Sequence, residues 1–139
     1  MSIIYKPRQA VSTVPGKERM GYFAGKVSGQ TIDTNDLCKR ISDKCSITGS
    51  DVKGVIEALI KEIELELLSG SSIQVGELGI FSASITSEVV DNKEDLKPKN
   101  VRVKRITYRP SVRLKKIMTD ASFIRLRDYN RMMYGEDKE

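Results

Sequence analysis

Histidine is absent from the 139 residues. That removes the commonest general base and the commonest zinc ligand at once, so neither a zinc site nor an imidazole-driven reaction is expected. Cysteine occurs twice. On a single helix Cys38 and Cys45 would stand about 10 Å apart along the axis, beyond disulfide reach. They are expected to be two small buried apolar residues. No apolar run approaches the ~18 residues needed to cross a bilayer. The start, MSIIYKPRQAV, lacks the longer apolar core of a signal peptide, so a cytoplasmic protein is expected. Also missing are a glycine-rich phosphate loop and a nucleophile–base pair. Glu62, Glu64 and Glu66 sit at i, i+2 and i+4 on one predicted helix; Glu62 and Glu66 share a face, which reads as its solvated side. An enzyme, a cofactor and a small-molecule substrate are therefore not expected.

What is present is positive charge in one place. Lys97–Lys116 holds nine Lys or Arg and no Asp or Glu, while the whole chain carries a formal +5. The rest of the chain is thus net acidic. A molecule polarised in this way offers one basic surface to a polyanion, nucleic acid before membrane. The membrane is the weaker candidate because the cations fall on a strand rather than on a basic amphipathic helix.

The order of elements is legible from periodicity. Residues 3–9 and 20–28 read as two strands joined at Pro15-Gly16, an added hairpin over residues 1–30 in which Pro7 marks an edge strand. Asp33 or Thr34 caps a helix with Leu37, Ile41 and Cys45 on its apolar face. Thr48 or Ser50 caps a longer helix that runs to about Leu68 and stops at Gly70. Its core stripe is Val52, Val55, Ile56, Leu59, Ile60, Ile63 and Leu67. Leu65 and Leu68 lie outside the stripe, so a second surface must cover them. A partner copy of the chain is the simplest cover.

Gly76 and Gly79 flank a bend before a strand in which Phe81, Ala83 and Ile85 alternate with Ser82, Ser84 and Thr86. DNKEDLKPKN then turns the chain, and KEDL suits a helical turn. In the basic strand Val101 and Val103 have one parity and Ile106 and Tyr108 the other. A phase slip of this kind is what a β-bulge produces, and it is expected near Lys104–Arg105. Arg105, Thr107 and Arg109 then point away from a buried Ile106 and Tyr108. Pro110 ends the strand and Ser111 caps a short helix, VRLKKIM. In the tail, residues 119–139, Phe123, Leu126, Asn130 and Met133 have roughly helical spacing, which leaves a helix and a partly ordered end both open.

GELGIF (Gly76–Phe81) and RPS (Arg109–Ser111), in this order of elements, resemble the HU/integration host factor family of bacterial histone-like DNA-binding proteins. The likeness covers about Thr31–Met118. The added YFAGKVSGQTID is similar to HU-related proteins with an N-terminal extension found in Bacteroidetes. The resemblance implies an α+β, HU-like fold: two N-terminal helices, a β-sheet with a protruding arm at about residues 86–105, and a short C-terminal helix. It implies a nucleoid-associated homodimer that binds double-stranded DNA with low sequence specificity. In that family the arms follow the minor groove and a proline at each tip wedges between bases, behaviour known for HU and integration host factor themselves.

Carried onto this chain, the DNA contacts are Lys97, Pro98 and Lys99 at the tip, Arg102, Lys104, Arg105, Thr107 and Arg109 on the strand, and Arg113, Lys115 and Lys116 beyond it. Asn100 is a further polar contact. The dimer contacts are Leu59, Ile63, Leu65, Leu68 and Phe81. The tip departs from the family's basic pattern: Glu88, Asp91, Glu94 and Asp95 face Lys93, Lys97 and Lys99. Weak bending, or a protein-interaction module of the same fold, is the alternative expectation.

Overall fold

The computed structural model of the chain describes residues 1–11, 15–16 and 20–135. The chain is mixed α and β, and it divides into two compact units, Ile32–Lys116 and Met1–Thr31 with Ile117–Glu139.

The first unit begins with two helices whose starts are set by single side chains. Asp33 caps α1 (Thr34–Ser42) by accepting the Asp36 backbone N–H at 2.8 Å. Thr48 caps α2 (Gly49–Leu68), accepting the Asp51 N–H at 3.2 Å and donating to the Asp51 carboxylate at 2.7 Å. Each cap leaves a carboxylate in the first turn, where the helix dipole favours it. At the end of α2, Ser71 N–H donates to Glu66 O and Gly70 N–H to Leu67 O. Gly70 takes φ +85°, the left-handed turn that closes a Schellman motif.

α1 is shorter than the sequence suggests. Lys44 N–H donates to Ile41 O and Cys45 N–H to Ser42 O, so tight turns unwind the helix before Cys45. Cys45 is accordingly exposed and is not a core residue. Leu37 is also exposed, whereas its neighbour Cys38 is 4% exposed. The face turned to α2 is centred one residue on from the predicted stripe. Among the described residues, only Cys38 and Val52 form the buried core.

Ile56, Ile63 and Leu67 are half-buried, but Val55, Leu59 and Ile60 of the predicted core stripe are exposed. Leu65 and Leu68 stand 61% and 84% exposed. The described elements of the chain leave this side of α2 open.

A sheet in the order β3-β4-β5 follows, from β3 (Ile73–Val75), β4 (Gly79–Ser87) and β5 (Val101–Pro110). The β3–β4 bend needs two glycines, Gly76 at φ +47° and Gly79 at φ +140°. At Gly79 an added Cβ would run into the Arg109 carbonyl and the Tyr108 ring. β4 and β5 are joined by residues 88–100, which include single 3-10 turns at Lys93–Asp95 and Pro98–Asn100. α3 (Val112–Thr119) follows β5.

The second unit is a sheet in the order β2-β1-β6, from β1 (Ser2–Val11), β2 (Met20–Lys26) and β6 (Ser122–Arg125). β1 and β2 form the predicted hairpin, described at its turn only for Pro15–Gly16. The edge position predicted for β1 is overturned over Ser2–Tyr5, where β6 pairs with it in parallel. Pro7 lies beyond the end of β6, so its missing N–H costs no ladder bond on that side. Over its described residues the tail is a strand followed by a helix rather than a single helix. Phe123 is in a strand, and α4 (Leu126–Tyr134) begins immediately after it, ending at Gly135 with φ +68°. Residues 136–139 of the predicted tail lie outside the described residues.

Candidate nucleic-acid interface

The β4–β5 ribbon sorts its side chains by register. Phe81 pairs with Tyr108, Ala83 with Ile106, Ile85 with Val103 and Ser87 with Val101. Directly opposed residues share a face, so this face is apolar. Phe81 and Tyr108 stack with ring centroids 5.0 Å apart. The other face pairs Ile80 with Arg109, Ser82 with Thr107, Ser84 with Arg105 and Thr86 with Arg102. It is a row of guanidinium groups opposite a row of hydroxyls.

The register shifts between Ser84 and Ile85, and Lys104 is the residue left without a partner. This is the expected bulge, and its consequence is specific. Without it, Arg102 would fall on the apolar face and Val101 and Val103 on the cationic one. One extra residue restores the phase, so that Val101, Val103, Ile106 and Tyr108 line up along one side.

That apolar side is not buried within the chain. Ile106 is 66% exposed, and Tyr108, Val103 and Ile85 are exposed with it, in contrast to the burial expected for Ile106 and Tyr108. Arg102, Lys104, Arg105 and Arg109 are exposed too, and no carboxylate among the described residues pairs with them. Four cations held close together without counter-charges repel one another and attract an anion.

The remaining predicted contacts differ in how they are held. Thr107 is half-buried; its hydroxyl donates to Ser82 O at 3.2 Å, so its proton is committed within the ribbon. Lys97, Pro98 and Lys99 are exposed on the 88–100 connection, and Asn100 Oδ1 accepts the Lys97 N–H at 3.2 Å. Arg113 is ion-paired to Glu77 at 2.6 Å. Lys115 lines a cavity of about 330 Å³ together with Arg109, Ser111 and Gln74, while Lys116 is exposed on α3. Among the predicted dimer contacts, Leu59, Leu65 and Leu68 are exposed, and Ile63 and Phe81 are half-buried.

Two features of the interface were not anticipated. Ser82, Ser84 and Thr86 stand opposite the cations; their alternation is visible in the sequence, but their pairing partners are not. Glu77 anchors the start of α3 twice, through Arg113 and through its carbonyl, which accepts the Ser111 hydroxyl.

A family model described as an HU domain fused to wHTH, Ig or glycine-rich motifs matches residues 1–125. Among solved structures, the chain shares its fold with a provisionally assigned bacterial DNA binding protein from Bacteroides vulgatus, with a TM-score of 0.62 and 12% identity. The match covers 91% of this chain and 49% of the other, so this chain spans about half the length of that relative. No curated protein matches it.

Proposed function

The chain belongs to the HU-HIG family, the HU domains fused to other modules, and from that premise we propose that it binds double-stranded DNA as a homodimer. The cationic face of the β4–β5 ribbon is the contact surface. The observation that carries this reading is the register that places Arg102, Arg105 and Arg109 on one face of the ribbon, exposed and, among the described residues, without carboxylate partners. Guanidinium and ammonium groups at this spacing meet phosphates and release counterions. Such contacts position a protein on DNA without reading its sequence, so specificity is low. Lys104, pushed out at the bulge, extends the same contact. Lys97, Lys99, Arg113, Lys115 and Lys116 are flanking contacts in this reading.

Dimerisation is supported by how little the chain buries. A core of Cys38 and Val52 cannot hold two helices and a sheet together in water. A second copy laid against α2 and the apolar face of the ribbon would cover Leu59, Ile63, Leu65, Leu68 and Phe81, in the interlocked manner of HU. The added hairpin is in keeping with the extended HU-related proteins of Bacteroidetes, and a nucleoid location follows from the same reading.

A second reading has one observation in its favour. Glu88, Asp91, Glu94 and Asp95 crowd the connection at the tip of the ribbon, where Val89 and Leu96 are exposed. A tip of that composition suits a protein partner better than a phosphate backbone, and an HU-type scaffold with reduced bending would use it.

The test is charge reversal at Arg102, Lys104, Arg105 and Arg109, each changed to Glu. Duplex binding should be lost while the helical content is kept. In the unaltered protein, neutralising about six phosphates per dimer gives a logarithmic salt slope near about −5. Binding that ignores salt or survives the four reversals removes the proposal.

A further inference from the structure

Tyr5, Tyr22 and Phe123 lie on one face of the β2-β1-β6 sheet, and the ribbon mechanism uses none of them. The register puts them there. Ile3 pairs with Phe123, Tyr5 with Lys26 and Gln9 with Tyr22, so these six side chains share a face. From Ile3 to Gln9 the row extends about 20 Å at ~3.3 Å per residue.

Two of the rings stand in water: Phe123 is 65% exposed and Tyr22 77%. Beside Phe123 the face is hollowed into a cavity of about 530 Å³, lined by Ile3, Tyr5, Ala24, Lys26 and Phe123. Every lining residue comes from the sheet, and α4 contributes none. The lining is largely apolar, with the Lys26 ammonium as its one charged group.

Flat rings along a strand with a cation beside them are the recognition chemistry of an unpaired nucleotide. The ring stacks on the base, which any base accepts, and the ammonium meets the phosphate. Charge favours the same ligand. Residues 1–31 carry five Lys or Arg and one Glu, and no carboxylate among the described residues pairs with Lys26. An apolar protein surface would leave Lys26 without a partner at the centre of the contact.

We propose that this face is a stacking platform for single-stranded nucleic acid, separate from the duplex-binding ribbon. The inference rests on the nucleic-acid-binding reading above, but it concerns residues that reading does not use.

The experiment measures binding of the full chain to a fluorescently labelled thymidine oligonucleotide of about 12 residues and, separately, to a duplex. Phe123→Ala and Tyr22→Ala should each weaken oligonucleotide binding about fivefold or more. Both should leave duplex affinity and its salt slope unchanged, and Phe123→Tyr should restore the oligonucleotide affinity. The chain with Arg102, Lys104, Arg105 and Arg109 reversed to Glu should lose the duplex and keep the oligonucleotide. If it keeps both, the ribbon reading fails and the platform stands.

The platform is overturned if the unaltered chain does not bind the oligonucleotide, or if binding is indifferent to Phe123→Ala and Tyr22→Ala. It is overturned equally if Phe123→Ala halves the sedimenting mass, because the face is then an interface between copies.

Discussion

Ser84 faces Arg105 across the β4–β5 ribbon, and its hydroxyl donates to the Arg105 carbonyl at 3.4 Å, at the last pair before the register slips past Lys104. The separation of the ribbon into a cationic and an apolar face depends on that slip.

Deleting Lys104 should therefore do little more than replacing it. Lys104→Ala removes one cation and should lower the salt slope by about 0.9 per lost phosphate contact. Deletion removes the same cation and closes the bulge in register, because Arg105 stays opposite Ser84, Val103 opposite Ile85 and Arg102 opposite Thr86. Duplex affinities and salt slopes of the two variants should be similar. A much larger loss on deletion would show that the bulge itself, and not only its cation, shapes the contact.

Leu65→Asp tests the dimer. Sedimentation at micromolar concentration should give about twice the 15.6 kDa chain mass for the unaltered protein. Leu65 is exposed in the single chain. An Asp there would cost little in a monomer, but in a dimer it would put an unpaired charge into an apolar contact. The variant should dissociate or unfold, and a stable folded monomer before substitution would contradict the reading.

Gly79 and Gly76 should differ in their tolerance of a methyl group. At Gly76 nothing lies near an added Cβ, so Gly76→Ala costs only the left-handed backbone, about 1 kcal/mol. Gly79→Ala adds collisions with the Arg109 carbonyl and the Tyr108 ring and should lose more than about 2 kcal/mol. Thermal denaturation of the two variants gives the comparison directly, and a reversed order would mean that the sheet relaxes around Gly79.

Pro98 should matter less than the strand cations. It opens a 3-10 turn that follows closely on Glu94 and Asp95, whose carboxylates repel nearby phosphates. A wedge has to recover the cost of unstacking through extra contacts on bent DNA, and these carboxylates oppose such contacts. Pro98→Ala should change duplex affinity less than about threefold, while Arg105→Ala and Arg109→Ala each cost more. Energy transfer between the ends of a short duplex reports the bend. A large bend that collapses in Pro98→Ala would show an intact wedge.

Local chemistry was legible in the residues themselves. Asp33, Thr48 and Gly70 mark helix ends because a cap involves only a few neighbouring residues. The phase slip between Val103 and Ile106 announced a bulge because strand alternation is a property of consecutive side chains. The row of cations at Arg105 and Arg109 followed from the same alternation. Other features depend on segments far apart in the chain and left no local mark. β6 exists because Ser2–Tyr5 offers it an edge about 120 residues away, where Ser2 and Ser122 hydroxyls meet at 2.8 Å. The spacing from Phe123 to Met133 suits a helix until that edge is available. Which hydroxyls stand opposite the arginines, and that Cys38 rather than Leu37 faces α2, required the pairing and packing to be known. Side-chain periodicity determines which residues can share a face; only the tertiary structure decides what, if anything, covers that face, because burial belongs to two surfaces and the sequence pattern describes one.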